Sequence, residues 1–160
     1  MSVVVVTPPQ EIVSLDEAKR HLRVEHAGDD AYIESLVAVA TGWLDGPDGW
    51  LGRALGEQVL EAAFPTHLAQ SDRSYSFPPF RALVSEVPQP DGRETVVRWR
   101  AGYPIADGKS AVPAPVRHAI LLMVGHLYAN RDAVTMATAK PEQLPLGVEA
   151  LLAPFRVWAS

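Results

Sequence analysis

Five small groups of residues in this sequence have side chains that could do chemistry. His21, Glu25 and His26 lie close together, and imidazole and carboxylate are common zinc ligands. His21 and Glu25 share a helix face, but His26 points elsewhere and no H-E-x-x-H occurs. Zinc needs three or four converging ligands, so these side chains read as solvated or locally hydrogen-bonded. His118 and His126 stand about two turns apart on an apolar helix. No nucleophile in a recognisable motif accompanies them, and there is no G-x-S-x-G, so each is expected to pair with a carbonyl. Asp29 and Asp30 are adjacent, so on a helix their side chains diverge. They suit an N-cap and a first-turn anion better than a catalytic dyad. Gly46, Gly49, Gly52 and Gly56 form a glycine-rich stretch. A phosphate cradle needs a strand before it, a helix N-terminus after it and, in the P-loop, Lys then Ser or Thr; none of these is present. Asn130-Arg131 reads as a helix C-cap, with Arg131 also able to make an ion pair between subunits. No residue is assigned a catalytic, metal-binding or cofactor-binding role.

Composition narrows the classes further. At 160 residues with 48% hydrophobic content, the chain can bury a core without disulfides or metals. It has no cysteine, which excludes a disulfide framework, a thiol nucleophile and thiolate metal sites. The apolar run Val3 to Val6 has no basic flank and is too short for a signal peptide or a membrane span, so a soluble protein is expected. The net charge of −5 makes non-specific binding to DNA unfavourable, because that binding depends on Lys and Arg neutralising phosphates.

The elements that must carry these residues fall into several regions. Residues 14–54 read as helical. Ser14 and Glu17 form an S-x-x-E capping box, and Leu15, Ala18 and Leu22 follow at helical spacing. A second helix starts at Asp29, carries Ile33, Leu36, Val37, Ala40 and Leu44 on one stripe, and stops at Gly46-Pro47. A short helical turn is expected between Gly49 and Ala54. Residues 57–103 change to period-2 alternation and read as a small antiparallel β insert, with Asp91-Gly92 turning a hairpin and His67 to Ser76 a polar loop. Residues 115–130 form a helix apolar nearly all round, hence buried or packed on two sides. Asp132 to Gln143 reads as flexible. Residues 144–160 hold a last short helix and an apolar tail. The expected fold is therefore α+β but mostly α-helical: a bundle of about four helices with a small antiparallel insert, in one domain over residues 1–160.

The first two helices superficially suggest a helix-turn-helix regulator. Residues 29–45 contain no Lys or Arg, whereas a recognition helix must present such groups to phosphates and base edges.

Three ordered segments carry a more specific signal: SLDEAKRHLRVEHAGDDAYIESLVAVATGWL (14–44), AILLMVGHLYANRDAV (119–134) and LPLGVEALLAPFR (144–156). With the G-H-x-Y-x-N-R run from Gly125 to Arg131, they resemble the head–tail connector (adaptor) family of tailed phages, prophages and gene transfer agents. The resemblance implies a non-enzymatic subunit without cofactor. It implies a ring of about a dozen copies, assembled in the bacterial cytoplasm and docked below the portal, that extends the DNA channel and meets a stopper or other tail protein. Nearby alternatives are a stopper or a tail terminator. On this reading, Leu151, Leu152, Phe155, Val157 and Trp158 are candidates for portal or partner binding. Tyr128, Arg131, Val3 and Val5 are candidates for contacts between subunits, the valines by adding a strand to a neighbour's sheet. Asp29, Asp30 and Glu34 are candidates for the channel wall, where their charge would repel DNA and let it slide.

Overall fold

Ser14 begins the first helix, α1 (Leu15–Leu22), by accepting the Glu17 amide on its hydroxyl at 3.3 Å. The other half of the capping box is replaced. The Glu17 carboxylate turns away to Arg117, whose Nη2 sits 2.6 and 2.7 Å from its two oxygens. Arg23 ends the helix in the left-handed region (φ 59°). The structure, a computed structural model, describes residues 2–131 and 146–157. The expected flexible stretch from Asp132 to Gln143 lies outside them.

The second helix, α2 (Asp30–Leu44), buries the stripe read from its sequence: Ile33, Leu36, Val37, Ala40 and Leu44. Helix α3 (Ala114–Ala129) starts with Pro115 in its first turn, where a missing amide costs nothing. It is the centre of the helical layer and packs against α1, α2 and α4 (Leu146–Leu152). Val116, Ala119, Ile120, Met123 and Val124 fill that core with Val13, Leu51 and Leu152.

The rest departs from a helical bundle. Strands β1 (Val4–Thr7), β2 (Gln58–Pro65), β3 (Phe80–Pro88) and β4 (Glu94–Ala101) form a four-stranded antiparallel sheet in the order β1-β2-β4-β3. A two-residue ribbon follows, β5 (Ile105–Ala106) with β6 (Lys109–Ser110). The sheet has its own core of Leu60, Ala62, Phe64, Val97, Trp99 and Ala101, from the alternate positions of β2 and β4. The segment expected to be only a polar loop covers that core. Tyr75 meets the rings of Phe64, Trp99 and Phe80 at 5.8, 5.5 and 4.8 Å. Substantial contacts run helix to helix and strand to strand. The mostly helical bundle is thus overturned: the protein is α+β, with a helical layer and a separate sheet. Nor is the sheet a mere insert, because β1 precedes every helix. The alternation test missed β1 because it is an edge strand whose four residues are all exposed.

Residues 45–56 join the two parts by a turning return, without the helical turn expected there. Its anchor is the buried carboxylate of Asp45, just past α2. Asp45 Oδ1 accepts the Leu55 amide at 2.6 Å and Gln58 Nε2 at 3.0 Å, and Oδ2 accepts the Gly56 amide at 3.4 Å. Chains crowd here. A Cβ on Gly56 would lie 2.2 Å from the Gln10 carbonyl oxygen, and one on Gly102 (φ 96°) 2.2 Å from that of Gly56. Only glycine allows these approaches.

Burial raises the Asp45 pKa from its ordinary 3.8, against the lowering effect of its amide donors. Asp45→Ala takes the acceptor from the buried Leu55 and Gly56 amides and leaves Gln58 Nε2 only its contact with the Gly56 carbonyl, so it should destabilise the fold by about 2–3 kcal/mol. Asp45→Asn keeps the Oδ1 acceptor and should cost less. Because the folded value is raised, ionisation of Asp45 removes stability as pH rises from 3.8 through that value. Urea midpoints measured against pH should therefore show wild type losing ground to Asp45→Asn across that acid window. A constant difference would contradict this account.

Candidate functional site

Among the described residues no group of three or more His, Cys, Asp or Glu side chains could hold a metal ion. His118 and His126 are both exposed, so neither sits on the buried face of α3. The His118 ring meets that of His21 edge-on at 6.1 Å.

The most organised polar cluster lies where α2 begins and α3 ends. Asp29 does not cap α2 with its side chain. Its Oδ2 instead accepts from the Tyr128 hydroxyl at 2.5 Å and from Arg131 Nη2 at 2.8 Å. The Arg131 guanidinium lies over both the Tyr32 and Tyr128 rings, 4.8 and 4.6 Å from their centroids. Cation–π attraction therefore adds to the ion pair. Asn130 caps α3 without a left-handed backbone, by donating Nδ2 to the His126 carbonyl at 2.7 Å. The cluster fastens the two ends of the helical layer within one chain. Sequence reading named three of its members but could not pair them, because Asp29 and Arg131 are 102 positions apart.

The other candidates are also placed. Asp30 pairs with Lys19 at 2.6 Å, and Glu34 is exposed. Val148 and Leu152 lie in the helical core, while Leu151 and Phe155 pack partly buried against it. Past a 3₁₀ turn (Ala153–Phe155), the Val157 amide donates to the Leu51 carbonyl at 2.8 Å. The Arg156 guanidinium rests 4.1 Å above the Trp50 ring. Residues up to Val157 thus fold back on the loop after α2. Trp158 lies outside the described residues. Val5 lies within β1 beside Leu60, and Val3, just before the strand, packs partly buried against the sheet's core.

Two apolar features had not been assigned. Along β3, Phe80, Val84 and Val87 are exposed; the run FRALVSEV lacks the clean alternation of a half-buried strand. Beside β1 a groove of about 650 Å³ runs along α2, lined by Val5, Pro8, Ile12, Val37 and Thr41 and rimmed by carboxylates.

No helix among the described residues is long and apolar enough to cross a membrane. No family model matches the sequence, and no curated protein matches it either. Solved structures do. A chain of the virion of a native gene transfer agent particle matches with a TM-score of 0.72 at 17% identity, covering 100% of this chain and 97% of that one. A chain in the neck of an empty gene transfer agent particle, computed with C6 symmetry, matches with a TM-score of 0.64 at 18% identity and the same coverage. The fold is therefore that of a chain found in such particles.

Tyr128 and then Arg131 are the largest influences holding the Asp29 pKa below its ordinary 3.8. A lowered folded value contributes stability above 3.8 that is lost as pH falls through the folded value. Asp29→Asn should flatten this part of the acid unfolding curve. Tyr128→Phe should flatten it partly. Circular dichroism against pH reads both, and an Asn variant with the wild-type acid limb would rule the cluster out as its source.

Proposed function

We propose that this chain is a structural, non-enzymatic component of the neck of a phage-like particle. More particularly, we propose that it is the head–tail connector (adaptor) subunit. The observation that carries the proposal is the end-to-end likeness, 100% of this chain against 97% of its neighbour. The likeness spans the whole chain, so it supports a reading of the whole chain and not of one segment. The residue-level resemblance of segments 14–44, 119–134 and 144–156 to connectors is independent support.

In this role the chain is one domain that repeats as a cyclic ring of about a dozen copies between the portal and a stopper or other tail protein. It resides in the particle after assembly in the bacterial cytoplasm. Its excess of acid, net −5, suits a passage that DNA slides through without adhering. Glu34, exposed on α2, is the foremost channel candidate; Asp29 and Asp30 would add their field from within ion pairs. The partner contact is proposed at the C-terminal end, where Leu151, Phe155 and Val157 keep part of their surface and Trp158 follows. Leu152 would support it from the core, where truncation to Ala costs about 2–5 kcal/mol.

Electron microscopy of particles from a strain lacking the gene tests this. Filled heads without tails, beside free tails, are expected. Normal tailed particles would remove the connector role. Heads joined to incomplete tails would move the chain to a later neck position, such as stopper or terminator.

A further inference from the structure

The exposed large apolar side chains of this protein are not scattered. Of the nine such residues among those described, six stand on the two edge strands: Val4, Val5 and Val6 on β1, and Phe80, Val84 and Val87 on β3. Val4 and Val87 are each 55% exposed. No described strand lies beyond either edge. An apolar edge with unpaired amides and carbonyls is a template for another strand, and soluble proteins ordinarily blunt it with charge, shorten it or cover it. β1 carries no charge at all.

The directions of the strands decide which partner fits. All three pairings in the order β1-β2-β4-β3 are antiparallel, and the strand number is even. The two edges therefore run in opposite directions. A second copy, rotated without being flipped, can set its β3 beside β1 and continue the antiparallel alternation. That contact is head-to-tail, the kind that closes into a ring when the rotation allows.

Charge supports the same direction. In an antiparallel pairing, the Phe80–Arg81 end of the incoming β3 runs past Thr7 towards the groove beside β1. Phe80 is exposed and would meet apolar groove walls such as Pro8 and Ile12. Arg81 is exposed and has no ion-pair partner among the described residues. Glu11 and Asp48 line the groove and are likewise unpaired among them. An unpaired cation would thus approach two unpaired carboxylates.

We propose that β1 and the adjoining groove of one copy receive β3 of the next, so that neighbouring sheets join into one continuous antiparallel sheet. This rests on the ring reading above and names the surfaces that build the ring.

The absence of cysteine makes the test direct. Two double variants, Val4→Cys with Val87→Cys and Val6→Cys with Val84→Cys, would be produced in particle-forming cells and treated with a thiol cross-linker. All four positions are exposed, so the monomer fold should be kept, checked by circular dichroism. A ladder of covalent multimers is expected for the double variants and none beyond dimer for the single ones. Adding Arg81→Glu should reduce the ladder about tenfold, the loss of roughly 1.4 kcal/mol. If the chain is recovered in tailed particles yet stays monomeric after treatment, the edge pairing is overturned and the neck role stands. If it is absent from particles and makes no ladder, both fall. Dimers alone from a double variant would indicate a two-fold contact and also overturn the proposal.

Discussion

One buried carboxylate holds the two halves of this protein in register. Asp45 ends α2, yet its oxygens receive the Leu55 and Gly56 amides and the Gln58 side chain, which open β2. An ionised group in such a place pays a desolvation cost, visible in its raised pKa. Removing the carboxylate strands the Leu55 and Gly56 amides, while Gln58 Nε2 keeps the Gly56 carbonyl. The arrangement is therefore more a determinant of geometry than a source of net stability. It fixes how the chain leaves the helical layer and enters the sheet. Gly56 and Gly102 then bring the backbone of residues 9–10, 56–57 and 102 into direct contact. With few packed contacts between helices and strands, this joint sets where the sheet edges lie relative to α2 and α3.

The same separation explains how much was legible in the sequence. Helices α1 and α2 were readable because their apolar faces repeat at helical spacing, and α3 because a long apolar run follows a proline start. Strands β2 and β4 were readable because one face of each is buried, giving alternation. The edge strand β1 has no buried face, so the alternation that reveals a strand is absent from it; β3, also with little buried face, was legible from the β-like run Leu83 to Val87 and the Asp91-Gly92 turn that joins it to β4. Missing β1 turned a four-stranded sheet into a small insert and the fold into a helical bundle. The cover of the sheet was hidden for another reason. Tyr75 and Phe77 sit in a stretch of Ser, Asp and Arg whose composition reads as solvent, and only the fold lays them over Trp99.

Candidate residues were less legible than elements. Asp29, Tyr128 and Arg131 each stood out, but one sequence supplies no distance between positions about a hundred apart. Local rules therefore assigned Asp29 to its own helix end. The long-range partner wins because it offers a charged donor and a hydroxyl at once. Asp29 also loses little as a cap, since the Asp30 and Ile33 amides already donate to the Ala27 and Asp29 carbonyls at 3.2 and 2.8 Å. Glu17 behaves likewise: a charged bond from Arg117 Nη2, within reach of both carboxylate oxygens, outweighs a return bond to the Ser14 backbone.

These pairings bear on how the surface can assemble. The charges that fasten the subunit to itself are mostly consumed inside it: Glu17 with Arg117, Asp29 with Arg131, Asp30 with Lys19, Glu61 with Arg98. A subunit made this way cannot draw its neighbours in through those ion pairs without breaking its own. What is left for association is exposed apolar surface, unpaired strand backbone and the few charges without partners. Apolar edges attract without direction, whereas strand hydrogen bonds impose direction and repeat. A surface that combines the two favours an ordered, repeating contact over indiscriminate adhesion. The proposed ring would need that balance: a free chain that keeps its own fold, and edges that another copy would satisfy.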